Sequence, residues 1–600
     1  MKKHTRLEIA LSTLLVLLGG SCSSGSSGES GDAAFTLALT DAASDELVSF
    51  VVEVDAVELT RPGGAAVGVL PAPITVDLAT LVDVSQVLNV VNVPPGLYSG
   101  ATITLDFGAA EAYVVGQTAP ATLLDGDGNA LAGSVELPVT VPNSLSAVAG
   151  RNRVLELDFD LDQSVVVDSG ANQVFVEPVL VLRVDRNDPK ELIVAGVIEA
   201  VDAPAGTIDV ELQTLGGVPV CDWVIQVGPS TVYQVDGEPA QGVAGLSLLA
   251  ALPPGAWIQC YGAVHPMTGR LAAVYVEAGA GTYNGGSDIV EGFIVERVGG
   301  AGVNPVLTVL GHSNDETHTS FQFNTSFTVN ASFANTNVAR RGWVQPLDTD
   351  ELNIGQRVRC FGDLAGVTLN ATAADAVIRQ EPTRILGYAN GPVAGGTLAI
   401  DLARIEFRDA AAFTWADGGT SPPDPDDLRA AVGGLATGLN IVQGTALEVH
   451  GYFTAVDDAG DDFEALSLVN RDLAPSLIAL QDRANGLVVE PTVTSTELTL
   501  AISGSAVIGE FALLDRGFVS VTELPASPAP TIAPAGAHGL YFLRDRSTGA
   551  VSLQLDFAAF AQALDALLAQ GAGLYNLGAV GAYDAPTNAM LSGLIVVTVD

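Results

Sequence analysis

One pattern recurs along this chain and restricts its fold more than any other feature. Three strand-like segments, Gly255-Ala256-Trp257-Ile258-Gln259-Cys260-Tyr261-Gly262, Gly355-Gln356-Arg357-Val358-Arg359-Cys360-Phe361-Gly362 and Gly444-Thr445-Ala446-Leu447-Glu448-Val449-His450-Gly451, each place two glycines seven positions apart. Upstream strands contain Gly196, Gly292 and Gly387, which precede the closing glycines by 66, 70 and 64 residues. A fourth closing segment runs from Gly571 to Gly578, and its opening half lies somewhere after Pro475. Repetition on this scale implies several small cores rather than one large one. Glycine at strand ends and corners is what a small closed barrel requires, because the backbone must bend or approach a neighbour closely there. Closure also removes sticky sheet edges.

Upstream of the repeats, residues 35–185 read as strands separated by turns. The stretch Val52-Glu53-Val54-Asp55-Ala56-Val57-Glu58-Leu59 alternates with period two, so one face must be buried. Ala101 to Phe107 and Val154 to Leu161 look alike, and the turn Val93-Pro94-Pro95-Gly96 separates them from the first strand. A β-sandwich is expected. At 48% hydrophobic and 16% charged residues the chain is too apolar for disorder. One helix stands out, 556–570, with Asp556 as cap, Gly571 as stop and Phe557, Phe560, Leu564 and Leu567 along one face.

Leu39-Thr40-Asp41-Ala42, Pro95-Gly96-Leu97-Tyr98, Leu157-Asp158-Phe159-Asp160-Leu161 and Glu177-Pro178-Val179-Leu180 resemble domain-of-unknown-function family 4382, found in bacterial lipoproteins. That resemblance implies an exported β-domain and brings no chemistry. The glycine-paired modules resemble an exported repeat family of unknown function, number 5666, which implies small OB-like barrels. The expected fold is therefore all-β: a β-sandwich at 35–185, then about four small OB-like β-barrel modules at 190–278, 288–382, 383–472 and 475–600, with one helix near the C-terminus. Polar connectors near Asp185, Gly285 and Pro475 are expected to separate them.

The N-terminus carries an address. Lys2, Lys3 and Arg6 precede an apolar run from Ile9 to Leu18, shorter than the roughly 20 residues a bilayer span needs. Leu18-Gly19-Gly20-Ser21-Cys22 resembles a lipobox, although its leucine stands four rather than three residues before the cysteine. Residues 1–22 are thus read as a lipoprotein signal peptide with Cys22 as the lipidation site, and 23–34 as a flexible Ser/Gly tether. The expected location is exported and membrane-anchored, at the outer membrane if the host has two, with serine after the cysteine resembling that sorting pattern.

Composition narrows the partners. With 69 acidic residues against 25 basic ones and a net charge of -44, the chain repels phosphate backbones, so nucleic acid is excluded. There is no G-x-S-x-G elbow, no Walker or dinucleotide-binding loop and no HExxH, and His265, His312, His318, His450 and His538 are scattered. A non-enzymatic structural or binding role follows, with an unknown protein or glycan partner besides the membrane. The alternative is a carbohydrate- or calcium-binding exported module, and a third reading is an enzyme with an unrecognised site. No cofactor is expected apart from calcium, for which Asp125, Asp127 and Asn129 in Asp125-Gly126-Asp127-Gly128-Asn129 form a candidate loop; the same residues also favour a hairpin turn. Asp424, Asp426 and Asp427, and Asp457, Asp458, Asp461 and Asp462, read as solvated acidic loops. Cys221 and Cys260 share a module and either form a disulfide or are buried thiols; Cys360 has no evident mate.

Overall fold

The computed structural model describes residues 32–599 apart from 43–45, 82–83, 127, 150, 179, 185–190, 214–218, 316–320, 375, 407, 417–418, 420–421, 459, 472–475, 482–486, 505–510, 517–519 and 585–586. Cys22 and the tether up to residue 31, and Asp127, lie outside the described residues.

The chain is nearly all β. The first domain stacks two sheets. One orders the strands Leu180–Val184, Asn152–Asp160, Ala33–Ala42 and Val84–Val93; the other orders Ala66–Gly68, Leu47–Thr60, Gly96–Val114 and Ser134–Ala147. Phe35, Leu37, Phe50, Val52, Val54, Ile103, Leu105, Leu157 and Phe159 fill the space between them. The alternation read in Leu47–Thr60 is real but changes phase. Val52 and Val54 point inward, a register shift falls between Val54 and Ala56, and Val57 and Leu59 then resume the inward set. The extra residue is a β-bulge.

Three closed five-stranded barrels follow. In the first the order is Glu191–Asp202, Thr207–Gln213, Pro219–Gln226, Leu271–Ala278, Trp257–Val264 and back to Glu191–Asp202. Asp288–Val298, Val306–Asn314, Phe321–Ala331, Thr368–Ala371 and Arg357–Ala365 close the second in the same order. Thr383–Ala389, Thr397–Ile405, Leu428–Ala431, Phe463–Asn470 and Ala446–Phe453 close the third. A seven-residue helix, Val243–Leu249, plugs the first barrel with Leu246 and Leu249; its N-cap, Gly242, makes no side-chain cap, which is why the sequence carries no start signal for it.

The opening and closing glycines sit where strands crowd together. A Cβ on Gly196 would lie 2.0 Å from the Glu211 carbonyl oxygen, and one on Gly262 2.1 Å from that of Ala272. Equivalent positions have the same register: Gly262 faces Leu192, Gly362 faces Asp288 and Gly451 faces Thr383.

The fourth module departs from expectation. Among the described residues it is an open ten-stranded sheet rather than a closed barrel. Ser476–Gln481 is its opening strand, and Ser476 faces Gly581. The glycine equivalent to Gly262 is therefore Gly581, whose Cβ would meet the Leu591 carbonyl oxygen at 2.0 Å, and not Gly578, which has open space around it. The helix is where the sequence placed it, Phe557–Leu568, with the Asp556 carboxylate accepting from the Ala559 amide at 2.9 Å and Phe560 and Leu564 buried against Tyr541 and its neighbours.

Strands run across the domain boundary. Glu191–Asp202 pairs in parallel with Val84–Val93 through Glu191 to Val84, Leu192 to Ser85 and Ile193 to Gln86, so the sandwich sheet continues into the first barrel. The core of the third barrel includes Phe293, Val295 and Ile354 from the second.

The register makes a sharp prediction about the fourth module. Gly581→Ala should destabilise it by about 1–3 kcal/mol through overpacking against a strand that cannot retreat, while Gly578→Ala leaves it unchanged in chemical unfolding. Equal effects would contradict the assignment.

Candidate functional site

The bulge in Leu47–Thr60 sets up an acidic cluster on the outer face of the sandwich. Glu53 and Asp55 are two residues apart on that strand, and Glu53 lies directly opposite Asp106 on Gly96–Val114. One carboxylate oxygen from each of the three half-buried residues lies within 4.8 Å of the others. The Ser134 hydroxyl donates to Asp55 at 3.0 Å, and Asp106 accepts from the Gly108 amide at 2.8 Å. Partial burial, a shared hydrogen bond with Asp55 and the charges of Asp55 and Asp106 raise the Glu53 carboxyl above its usual range. Three carboxylates and a hydroxyl on a rigid sheet are an all-oxygen set of the kind hard divalent cations take. The sequence showed each acid but not the cross-strand register that collects them.

The calcium candidate in the hairpin is built as a turn. The Asp125 carboxylate accepts from the Asn129 backbone amide at 2.8 Å and from the Asn129 side-chain amide at 3.3 and 3.2 Å, and the Gly128 amide donates to the Asp125 carbonyl at 2.9 Å. Asn129 thus presents donors to Asp125. The other acidic loops are partly structural: Asp424 caps a short 3-10 turn, Asp461 accepts from the Thr397 hydroxyl at 2.9 Å, and Asp462 accepts from the Arg429 amide at 2.8 Å.

The disulfide reading for Cys221 and Cys260 is corrected. Cys260 is a free, buried thiol, as is Cys360. Cys221 lies on Pro219–Gln226 and Cys260 on Trp257–Val264, strands that do not pair with each other: Leu271–Ala278 runs between them one way round the barrel, and Thr207–Gln213 and Glu191–Asp202 the other. Burial pushes both free thiols up, which makes them inert.

What the sequence did not reveal at all is a buried charged seam where the sandwich and barrels meet. Arg379, on Val377–Glu381 of the second barrel, is fully buried. Its guanidinium stands 3.2 Å from Glu277 of the first barrel and donates to the Tyr275 hydroxyl at 2.8 Å, to the Gly281 carbonyl at 3.0 Å and to Gln234. Beside it Glu291 is gripped by Arg357 at 2.8 Å and Arg359 at 2.9 Å, and Arg359 lies 5.0 Å from the Tyr283 ring. Arg340 reaches Glu464 of the third barrel at 3.1 Å over the Tyr452 ring. Gln356 accepts from the Phe453 amide of that barrel at 3.0 Å.

The sandwich joins the same seam. Tyr113 stacks on Phe323 at 3.8 Å, and the Asn324 side chain donates to the Val114 carbonyl at 3.0 Å and the Gln117 carbonyl at 2.5 Å. Half-buried Asp77, held by the Ser49 hydroxyl at 2.7 Å and the Phe50 amide at 2.8 Å, shares its field with His312. Burial would raise the Glu291 carboxyl, but the Arg359 and Arg357 guanidiniums hold it well below the usual carboxylate range. Burial pushes His312 down, against the pull of Glu291 and Asp77.

Two outcomes follow from this electrostatics. Arg379→Ala strands the Glu277 carboxylate in the interface and should cost about 3–5 kcal/mol in chemical unfolding, whereas the paired change Arg379→Met with Glu277→Leu should recover most of the loss. For acidification, the unfolded chain protonates its histidine as pH falls through about 6.5, while folded His312 resists until a lower pH. His312 therefore contributes stability above the unfolded value that is lost as pH falls below it, and the depressed Glu291 adds a further loss lower down. His312→Gln should flatten the first part of that pH profile in thermal melts; an unchanged profile would contradict the assignment.

No curated protein and no solved structure matches the chain. Residues 32–178, the sandwich that carries Glu53, Asp55 and Asp106, match the family described as Domain of unknown function (DUF4382).

Proposed function

We propose that the chain is an exported, lipid-anchored envelope protein with a non-enzymatic structural or binding role, in which the sandwich and the first three barrels act as one rigid body that holds a surface away from the membrane. The single observation that carries this reading is the charged seam, because independent beads on a string have no use for an arginine buried across their boundary. The basic N-terminus, the lipobox-like Leu18 to Cys22 and the Ser/Gly stretch support the anchor, and the shared closed five-stranded order of the barrels supports their likeness to repeat family 5666. Limited proteolysis tests the rigid body. A single resistant fragment running from the sandwich through the third barrel is expected, and early cleavage near Gly285 would contradict it. Membrane partitioning tests the anchor: detergent-phase wild type and soluble Cys22→Ala are expected, and a soluble wild type would remove it.

A second reading rests on Glu53, Asp55 and Asp106, whose mutual repulsion a divalent cation would relieve. Calcium should raise the melting temperature of the wild type and not that of Asp106→Asn; no shift in the wild type would reject the site.

A further inference from the structure

Among the described residues the sheet of the fourth module has unpaired edges at Leu487–Val493, Ser520–Glu523 and Ala550–Gln554; the first carries Glu490 and Pro491 and the second Glu523, whereas Ala550–Gln554 carries neither charge nor proline. Ala550–Gln554 pairs with Leu540–Asp545 along one side, and among the described residues no strand pairs with its other side. Its outward side chains are apolar and bare: Val551 is 63% exposed, Leu553 48% and Leu555 57%. The register continues that face across the sheet, with Leu553 beside Phe542, Phe542 beside Val596, and Leu540 beside Leu594. A long apolar edge is a template for pairing unless it is blocked by charge, proline or a cover. None of the nine residues Ser547 to Leu555 is charged or proline, in a chain whose net charge is -44.

We propose that a second copy of this chain pairs with Ala550–Gln554, edge to edge and antiparallel about a two-fold axis at Ser552, to give a homodimer with one continuous sheet. Such pairing is self-complementary. It sets Val551 opposite Leu553 of the second copy on the outward face, and Ala550 opposite Gln554 on the other. Charge selects this occupant: Arg544, Asp545 and Arg546 leave one net positive charge before the neutral stretch and Asp556 follows it, so the antiparallel arrangement brings the net basic end of each strand towards the acidic end of the other. Charges farther apart than the roughly 8 Å screening length at physiological salt repel little, and the residues that make the contact itself, Ala550 to Gln554, are uncharged.

Sedimentation equilibrium of the unlipidated full chain, Cys22→Ala, tests the pairing. The expected result is a concentration-dependent dimer that Val551→Lys with Leu553→Lys converts to monomer without lowering the melting temperature, since both side chains are exposed. Val243→Lys, on the first barrel and 76% exposed, should leave the dimer intact. Hydrogen exchange provides a readout that needs no variant: the amides of 550–554 should slow as concentration rises. Monomer at every concentration overturns the proposal and leaves the edge to a strand donated by another protein; a dimer that survives both lysines, or exchange at 550–554 that ignores concentration, overturns it equally.

Discussion

The contact between Arg379 and Glu277 is the one on which the arrangement of this protein turns. Neither group tolerates the interior alone, because removing an ion from water costs several kcal/mol that only a partner and further hydrogen bonds offset. Each is supplied by a different barrel, and Tyr275, Gln234 and the Gly281 carbonyl accept from the two terminal nitrogens of the guanidinium, whose Nε has no hydrogen-bond partner among the described residues. The barrels must therefore meet in a single register or leave charges stranded. Apolar contacts such as Val377 against Gly281 and Gly237 add area but would tolerate sliding; the ionic shell does not.

From that constraint the rest follows in sequence. The parallel pairing of Glu191–Asp202 with Val84–Val93 fixes the sandwich to the first barrel, and the Tyr113 and Asn324 contacts then bring the same sandwich onto the second. Three bodies joined pairwise cannot hinge as a linear chain of beads does. The acidic cluster of Glu53, Asp55 and Asp106 rides on the outer sheet of this assembly, with its geometry set by a bulge and a cross-strand register rather than by a loop. Rigid elements place ligand groups more accurately than loops, which is why a cation reading attaches to this cluster and not to the turn at Asp125.

Much of the fold was legible in local pattern. Period-two alternation exposed the sandwich strands, the glycine pairs exposed the three barrels, and Asp556 with Gly571 bounded the helix, since caps and tight turns are chosen within a few residues. The failures share one cause, which is that they depend on partners distant in sequence. Gly578 fits the local motif as well as Gly581, and only the strand opposite distinguishes them. Cys221 and Cys260 are close in sequence and are kept apart by intervening strands. Thr282 to Gly286 reads as a linker by composition, yet Thr282 is buried and Gly281 beside it feeds Arg379. Arg379 itself, in an unremarkable Val-Ile-Arg-Gln-Glu segment, carried no sign that it would be buried.

The connector between the first two barrels is the most direct witness of whether the seam exists. Hydrogen exchange of the amides from Gly279 to Ser287 in the full chain reads it without any mutation. A locked seam predicts protection comparable to the strands Leu271–Ala278 and Asp288–Val298 that flank it, because the segment opens only when the barrels separate. Exchange as fast as that of exposed turns would show the barrels moving independently and contradict the account.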